Sequence, residues 1–378
     1  MKVGILTGEV FAFGAYGGFG YVARIAANIL RDLGYDVCII DVDRIGTNPD
    51  ILDGIPVHFL RKKKVRLGPI EELKITKNFV RKVSLDAILA ISEFACGKWV
   101  YYYKIASPKT KILTWFQDLR TDEDWRRIFT VPLCRTNDEI LPLHILHEKY
   151  RRLLRKKGVK KSDGLITQAK LLDHKIKKIY GVENVELVPN PIPIPPEESI
   201  NKAGPLIVFL GRLDPIKRPW IYGEIARNLP DVQFLLLGTS HYPEMMNPLM
   251  KEYKKLENLK FLGLTVGKEK AEILSKAWIL VNTSIYEALP VSFLEALSYK
   301  MAILSCQNPD AITSDYGIYT GQPLGNGYNE IPRFVEGLQY LLSNNRWKEK
   351  GERGYKFVKL FASIRNTADR LDHILRSL

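Results

Sequence analysis

A proline-rich segment limits what this chain can fold into, because it divides the sequence into two halves. Residues 189–204 read PNPIPIPPEESINKAG, and five of the first eight are proline. Proline removes a backbone donor and fixes φ, so this segment forms neither a helix nor a central strand. We place a domain boundary here, since 378 residues suffice for two domains of ordinary size.

Both halves alternate apolar runs with amphipathic stretches such as YVARIAANILRDLG and KEKAEILSKA. The apolar runs are continuous, which is typical of strands buried on both faces of a parallel sheet. Strand–helix–strand alternation indicates βαβ units. We therefore predict an α/β chain of two doubly wound domains whose ligands bind where the strands end. The predicted strands are KVGIL, DVCIID, DAILAIS, KILTWF, GLITQ and VELVP, then LIVFLG, VQFLLLG, NLKFLG, WILVNTS and AILSC.

The predicted domain limits follow from these patterns. Residues 1–190 form an N-terminal domain, 191–204 a linker and 205–353 a C-terminal domain. Residues 354–378 form one or two terminal helices that could pack back on the N-terminal domain.

The composition is that of a soluble globular protein, with 46% hydrophobic and 26% charged residues. No signal peptide and no run of eighteen apolar residues is evident, so we expect a cytoplasmic protein. Widely spaced cysteines without a CxxC pair indicate buried thiols in a reducing compartment. They are Cys38, Cys96, Cys134 and Cys306.

The net charge of +14 indicates an anionic partner. The bases cluster in RKKKVR (61–66) and in KYRRLLRKKGVKK (149–161). Either run could be a solvated face. The second run also contains apolar residues, so it could lie as a basic helix on a membrane surface. That would make the protein peripheral at the inner face of the membrane.

Two cations follow a predicted strand in VFLGRLDPIKRPW, where the strand ends at Gly211. Arg212 and Lys217 lie at a strand-to-helix turn. This arrangement suits a diphosphate, because guanidinium binds phosphate bidentately and ammonium adds a point charge. A basic surface turn is the plain alternative.

Two glutamates, Glu287 and Glu295, are separated by seven residues in SIYEALPVSFLEALSYKMAI (284–303). Pro290 suits the first turn of a helix, which puts Glu287 just before that helix and Glu295 inside it. Eight helical residues span roughly 12 Å, about the distance between two parts of a nucleotide sugar. The alternative is an amphipathic helix with two exposed carboxylates.

In this order and spacing, GRLDPIK and SIYEALPVSFLEAL resemble the retaining glycosyltransferases of family 4, which have the GT-B fold of two Rossmann-like domains facing across a cleft. The stretches VELVPNPI and FLGLTVGKEKAEILSKAWILVNTS are similar to that family as well. The resemblance covers most of the C-terminal half well and the N-terminal half loosely.

The resemblance implies that Arg212 and Lys217 bind the donor diphosphate. It implies that Glu295 accepts hydrogen bonds from the ribose hydroxyls and that Glu287 contacts the transferred sugar.

The sequence departs from the family directly after the first glutamate. The family often has glycine there, whereas this chain has Ala288, Leu289 and Pro290. Small residues let backbone N–H groups approach the sugar, but Pro290 has no N–H to donate.

The glycine-rich segment FAFGAYGGFGYVARIAANIL (11–30) matches a family loop through Gly17 and Gly18, which would lie over the donor phosphates or the acceptor. A rival interpretation takes residues 18–23 as G-x-G-x-x-A with Asp41 as a dinucleotide fingerprint. That fingerprint should open directly from the strand, and here about eleven residues separate Leu6 from Gly18.

Many family members have a histidine before an aspartate in the stretch that reads ILTWFQDLRTDEDW here. This chain has Gln117 and Asp118. Either residue could face the reaction centre, or neither, and we favour Asp118.

No metal site is predicted. His144 and His147 are interpreted as ordinary helix residues, and the DVD at 41–43 as a strand end.

We thus expect a metal-independent glycosyltransferase without a cofactor, which moves a hexose from a nucleoside diphosphate sugar to a hydroxyl of a glycan or lipid-linked acceptor. The resemblance implies that the departing phosphate removes the acceptor's proton. Alternatives are a glycoside hydrolase using the two glutamates, an epimerase or phosphorylase of the same fold, and a non-catalytic basic module. No nucleic-acid motif occurs, so nucleic acid is not an expected partner.

Overall fold

The computed structural model describes residues 1–11, 17–45, 50–61, 68–135 and 142–378, with only the backbone at 44–45, 61 and 142–148. It divides into two compact units. The N-terminal unit comprises Met1–Leu119, Asp138–Pro191 and Ile364–Leu378. The C-terminal unit comprises Arg120–Asn137 and Ile192–Ser363.

The strands, in chain order, are β1 (Lys2–Thr7), β2 (Asp36–Ile45), β3 (Asp50–Leu52), β4 (Ile55–Arg61), β5 (Ala87–Ile91), β6 (Lys111–Phe116), β7 (Gly164–Thr167), β8 (Glu186–Leu187), β9 (Leu206–Leu210), β10 (Gln233–Leu237), β11 (Leu259–Gly263), β12 (Ile279–Asn282), β13 (Ala302–Ser305) and β14 (Gly317–Tyr319).

The helices, in chain order, are α1 (Gly18–Asp32), α2 (Pro69–Lys82), α3 (Glu93–Ala106), α4 (Asp122–Ile128), α5 (Pro142–Lys160), α6 (Lys170–Tyr180), α7 (Pro219–Asn228), α8 (Pro243–Met250), α9 (Gly267–Lys276), α10 (Val291–Ser298), α11 (Ile312–Tyr316), α12 (Ile331–Leu342), α13 (Arg346–Phe361) and α14 (Ile364–Ser377).

The sheet of the N-terminal unit has the order β3-β4-β2-β1-β5-β6-β7-β8 among the described residues. Every pairing is parallel except that of β3 with β4. The central strand β1 is buried on both faces, as the continuous apolar runs predict. The sequence prediction omitted the β3–β4 hairpin, although Asp53 and Gly54 at its turn both have positive φ and Asp-Gly is a typical hairpin signal.

The sheet of the C-terminal unit has the order β11-β10-β9-β12-β13-β14, all parallel where described. Counted within the unit this is 3-2-1-4-5-6, the doubly wound order. The strand order reverses between β9 and β12, and ligands of such sheets bind beyond the carboxyl ends of the strands at that switch point. In this sheet the switch point lies at the residues after β9 and β12.

Two segments join the unit opposite to their half of the sequence. In the segment 120–137, Ile128 and Val131 are buried in the core of the C-terminal unit. Helix α14 belongs to the N-terminal unit, where Thr367 Oγ1 donates to Pro189 O at 3.3 Å. The sequence groups residues 354–378 together, whereas the observed units divide between α13 and α14.

The cysteines are free thiols. Cys38, Cys96 and Cys306 are buried and Cys134 is half-buried. Within the described ranges, no helix combines the length and apolarity that crossing a membrane requires. Residues 62–66 of the run RKKKVR, the glycine-rich residues 12–16 and the side chains of Arg61, His144 and His147 lie outside what the structure describes.

Candidate functional site

The turn after β9 is held close to the end of β10. Gly211 N donates to Leu237 O at 3.0 Å. Gly238 has a φ of 148°, and a Cβ added there would lie 1.8 Å from Gly211 O. The two strand ends approach this closely because residue 238 is glycine.

Arg212, the first predicted cation, lies half-exposed beyond β9. Its Nη1 donates to His241 Nδ1 at 2.9 Å and lies 3.5 Å from Asp214 Oδ2. Asp214 is buried and also accepts hydrogen bonds from Ser240 Oγ at 3.2 Å and from His241 N at 2.9 Å. A loop after β10 thus orients the guanidinium.

Lys217, the second predicted cation, ends a 3₁₀ turn that begins at Pro215. Its Nζ lies 2.5 Å from Glu287 Oε1, and the two side chains are 20% and 9% exposed. The turn after β9 and the loop after β12 therefore bring one predicted cation and one predicted carboxylate into direct contact.

Glu287 accepts two further hydrogen bonds, from Ser284 Oγ at 2.6 Å and from Asn282 Nδ2 at 3.2 Å. Burial opposes ionisation of Glu287, but the charge of Lys217 and these hydrogen bonds outweigh it and hold its pKa below the ordinary value. Glu287 is thus an ionised, fully oriented acceptor.

The segment after Glu287 has the helical start that the spacing predicts. Pro290 caps α10 in an extended conformation, Glu295 lies inside the helix, and Ala288 and Leu289 are buried. Glu295 Oε1 lies 2.5 Å from Nζ of Lys270 on α9. The second carboxylate therefore has a cationic partner of its own.

Sequence reasoning missed Lys270, His241 and Gln307. Gln307 Nε2 donates to Ser284 O at 2.8 Å, and its Oε1 accepts from Glu287 N at 3.3 Å. Lys270 stands in KEKAEIL, where the helical pattern gives no hint of a specific partner. Each lies at least twenty residues from Arg212, Glu287 or Glu295, the predicted residue that it contacts, so only the strand order could have indicated it.

The remaining predicted residues lie in the N-terminal unit. Gly17 caps α1 with an ordinary φ of −85° and its N donates to Glu9 Oε1 at 2.6 Å. A Cβ at this position would lie 2.1 Å from the same oxygen, so a larger residue would displace the Glu9 carboxylate from Gly17 N. Gly18 is the first residue of α1. Asp41, the acidic residue of the alternative dinucleotide fingerprint, lies inside β2 and not at its end. The interpretation of the DVD triplet at 41–43 as a strand end is therefore wrong.

Asp118 and Gln117 follow β6, as predicted. Gln117 is buried, and neither of its amide side-chain atoms has a hydrogen-bond partner among the described residues. Glu93, which begins α3, is buried and interacts electrostatically with Asp118. Its burial, together with the charge of Asp118, raises its pKa to about 8. The sequence prediction did not single out Glu93.

Among the described residues, no group of three or more histidine, cysteine or carboxylate side chains could hold a metal ion.

A comparison with protein families matches residues 193–353 to the glycosyl transferases group 1. This region, which holds Arg212, Lys217 and both glutamates, is a glycosyltransferase domain of that group, and the resemblance is confirmed at this level. The assignment to family 4 stays a prediction. A search of curated proteins found no match to the chain.

Solved structures match both units of the chain. Sucrose-phosphate synthase from Thermosynechococcus elongatus has a TM-score of 0.75 at 15% identity, covering 100% of this chain and 98% of that one. HepE from Anabaena, in complex with UDP, has a TM-score of 0.73 at 14% identity, with 100% of both chains covered. The pneumococcal O-GlcNAc transferase GtfA, in complex with UDP and GlcNAc, has a TM-score of 0.71 at 10% identity, covering 100% and 99%. The predicted GT-B fold is confirmed.

Proposed function

We propose that this protein is a retaining glycosyltransferase that transfers a hexose from a nucleoside diphosphate sugar to an acceptor hydroxyl. The observation that carries the proposal is the contact of Lys217 with Glu287 at the switch point of the C-terminal sheet. A cation for phosphate and a carboxylate for sugar hydroxyls meet there. The two structural neighbours solved with UDP support a uridine nucleotide as the first donor to test.

In the proposed reaction, the acceptor hydroxyl oxygen bonds to the anomeric carbon while the bond from that carbon to the diphosphate breaks. The electron pair of the broken bond goes to the diphosphate, which also takes the acceptor's proton. Negative charge on the phosphates therefore grows as the sugar leaves. Arg212 and Lys217 stabilise this charge because they are oriented before the reaction begins.

Glu287 serves as a hydrogen-bond acceptor in this scheme. A glycoside hydrolase would need one of its two carboxyl groups protonated to act as general acid. The pKa of Glu287 is held below its ordinary value by Lys217 against the effect of burial. Glu287 is therefore suited to binding hydroxyls. It is not suited to be the general acid that a glycoside hydrolase would need.

The first experiment identifies the donor. A thermal-shift screen with UDP-, GDP- and ADP-sugars should reveal one that stabilises the protein by about 2.7 kcal/mol at a hundredfold its dissociation constant. Incubation of that donor with and without acceptors, followed by product analysis, separates transfer from epimerisation and phosphorolysis. The anomeric configuration of the product tests retention.

The second experiment tests the cations. Arg212→Ala and Lys217→Ala should each lower kcat about a hundred- to a thousandfold, with a smaller rise in the donor KM. Arg212→Lys should restore only part of kcat, because ammonium lacks the bidentate guanidinium geometry. The variant Lys217→Ala/Glu287→Gln controls for the carboxylate that the single change leaves without its cation. Near-normal kcat in both alanine variants would refute the mechanism.

A further inference from the structure

Arg218 has a backbone conformation that favours glycine. It lies between the 3₁₀ turn ending at Lys217 and the start of α7, with a φ of 46° and a ψ of 53°. Residues other than glycine seldom adopt this left-handed region. Glycine would make the same turn with less strain, so an arginine here indicates a use for the side chain.

The guanidinium of Arg218 is fully buried and uses all five of its N–H groups. Nε donates to Thr283 O at 2.8 Å. Nη1 donates to Gly325 O at 3.1 Å and to Glu330 Oε1 at 2.9 Å. Nη2 donates to Glu330 Oε2 at 2.8 Å and to Cys306 Sγ at 3.3 Å. This bidentate pair with Glu330 provides the counter-charge that a buried cation needs.

Thr283, the residue after β12, is tied to the turn after β9 from both sides. Its carbonyl accepts from Arg218 Nε, and its Oγ1 donates to Lys217 O at 2.8 Å and to Arg218 O at 3.0 Å. Two residues further on, Ile285 N donates to Ile216 O at 2.9 Å. The two segments that meet at the switch point are therefore joined around Arg218.

The same contacts determine the position of Glu287. Asn282 and Ser284, on either side of Thr283, donate to Glu287 Oε1, and so does Lys217, the neighbour of Arg218. All three donors are thus chain neighbours of the contact between Arg218 and Thr283. A shift of Thr283 would move two donors relative to the third.

We propose that Arg218 is a positioning residue of the donor site: through Thr283 it holds Lys217 and Glu287 in the geometry that transfer requires, with Glu330 as its counter-ion. The inference rests on the proposed function of that site. It adds a residue that touches no substrate and acts on the reaction through others.

Two variants test the role of Arg218. Arg218→Lys keeps a cation opposite Glu330 but lacks the planar array of five donors. Arg218→Gly/Glu330→Gln relieves the backbone strain and removes both charges, so no buried carboxylate is left without a partner. Asn258→Ala is the matched control. The buried Asn258 side chain donates to three carbonyls of the same unit, those of Ala226, Leu229 and Val232, and none belongs to the donor site.

The first measurement needs no substrate. The amides of Ser284 and Glu287 are bonded to Asn282 Oδ1 and Gln307 Oε1. Hydrogen exchange of the peptide that contains them should become about tenfold faster in both Arg218 variants, and faster than in Asn258→Ala, because their local opening is easier.

The second measurement separates positioning from stability. With the donor found by screening, Arg218→Lys should lower kcat about tenfold to a hundredfold and change the donor KM less than about threefold. Asn258→Ala should retain both constants, whatever its melting temperature.

The positioning role is overturned if exchange at 284–287 and kcat in Arg218→Lys match those of Asn258→Ala, since Arg218 would then only stabilise the fold. If the wild-type protein binds no nucleotide sugar, the proposed function fails, and the exchange measurement still decides whether Arg218 orders the segment before Glu287. Arg218→Lys supplies both measurements should the double variant not fold.

Discussion

Both units bury a glutamate just beyond a parallel strand, yet the two carboxyl groups differ in charge. Glu93 follows β5, and its burial and the nearby charge of Asp118 raise its pKa to about 8. Glu287 follows β12, and its contact with Lys217 outweighs burial and holds its pKa below the ordinary value. The raised pKa of Glu93 favours the neutral acid near pH 7, whereas the lowered pKa of Glu287 favours the carboxylate.

The difference comes from the nearest charged groups and not from depth, because Asp118 raises the pKa of Glu93 whereas Lys217 lowers that of Glu287. Oε2 of Glu93 has no hydrogen-bond partner among the described residues. The charge of Arg155 and hydrogen bonds from the backbone N–H groups of Glu93 and Phe94 lower the pKa of Glu93, but they do not offset burial. Glu287 has an ammonium 2.5 Å away and two neutral donors. The same residue type at equivalent places can thus serve as a proton donor in one unit and as an acceptor in the other.

The largest expected effect is on the pH dependence of stability, through Glu93→Gln. The folded-state pKa of Glu93 is raised from 4.5 to about 8. The folded protein therefore binds a proton that the unfolded chain has released in this window. The protonated Glu93 side chain contributes fully to the free energy of unfolding below the pKa that it has in the unfolded chain. This contribution is lost as pH rises through the folded pKa, by up to about 1.4 kcal/mol per pH unit.

Glu93→Gln cannot ionise, so its free energy of unfolding relative to wild type should rise steadily between about pH 5 and 8. Urea unfolding at several pH values measures this difference. Asp118 and Arg155 face the same group, and both are kept in the variant. A difference that stays constant between pH 5 and 8 would mean that Glu93 is ionised in the folded protein. The proposed difference in charge between Glu93 and Glu287 would then be wrong.

Lys217→Met should make Glu287 resemble Glu93. It removes the cation and leaves a carboxyl group that is 9% exposed. Leaving one member of a buried ion pair alone costs about 3 to 5 kcal/mol, and the partial exposure of Lys217 favours the lower end. Denaturant unfolding at pH 7 gives the value. Adding Glu287→Gln should recover most of the loss, and no recovery would show that the pair is unimportant for stability.

Several features of the fold and of the candidate site were predictable from the sequence. The parallel strands follow from continuous apolar runs, and the positions of Glu287 and Glu295 relative to α10 follow from Pro290 and the spacing. Such features are local, because a few consecutive residues determine them.

Other parts depend on residues that are distant in sequence. The contacts of Glu295 with Lys270 and of Arg212 with His241 join different loops of the sheet. The location of the segment 120–137 in the C-terminal unit is likewise a matter of tertiary packing. The proton on Glu93 depends on burial by several elements at once, and no motif near residue 93 signals it.

A further prediction concerns the second carboxylate of the C-terminal unit. Glu295→Gln should weaken binding of the nucleoside diphosphate by about 1 to 3 kcal/mol, because charge-assisted bonds to the ribose hydroxyls become neutral ones. Calorimetry with the free nucleotide measures the loss. Glu269→Gln on α9 is a matched control, since this exposed glutamate is next to Lys270. Equal affinities in both folded variants would remove Glu295 from the site.

The smallest effect expected for a single residue is on membrane binding by basic residues at the surface of the N-terminal unit. Helix α5 buries Leu154 and Val159, while Arg152, Lys156 and Lys160 are exposed together with Leu153. Gly158 permits close packing on α3, where an added Cβ would lie 1.8 Å from Gly97 O. The helix is therefore fixed to the unit by one face and presents bases on the other.

We expect this basic face to bind anionic vesicles, as a lipid-linked acceptor would require, with about 1 kcal/mol for each base near the surface. Changing Arg152, Lys156 and Lys160 to Gln should then weaken co-sedimentation with phosphatidylserine vesicles by about 3 kcal/mol at most. The matched control changes Lys251, Lys254 and Lys255, three exposed lysines of the C-terminal unit, and lowers the net charge equally. Equal losses in the two triple variants would show that only total charge matters. Equal binding of wild type to neutral and anionic vesicles would rule out the membrane role of α5.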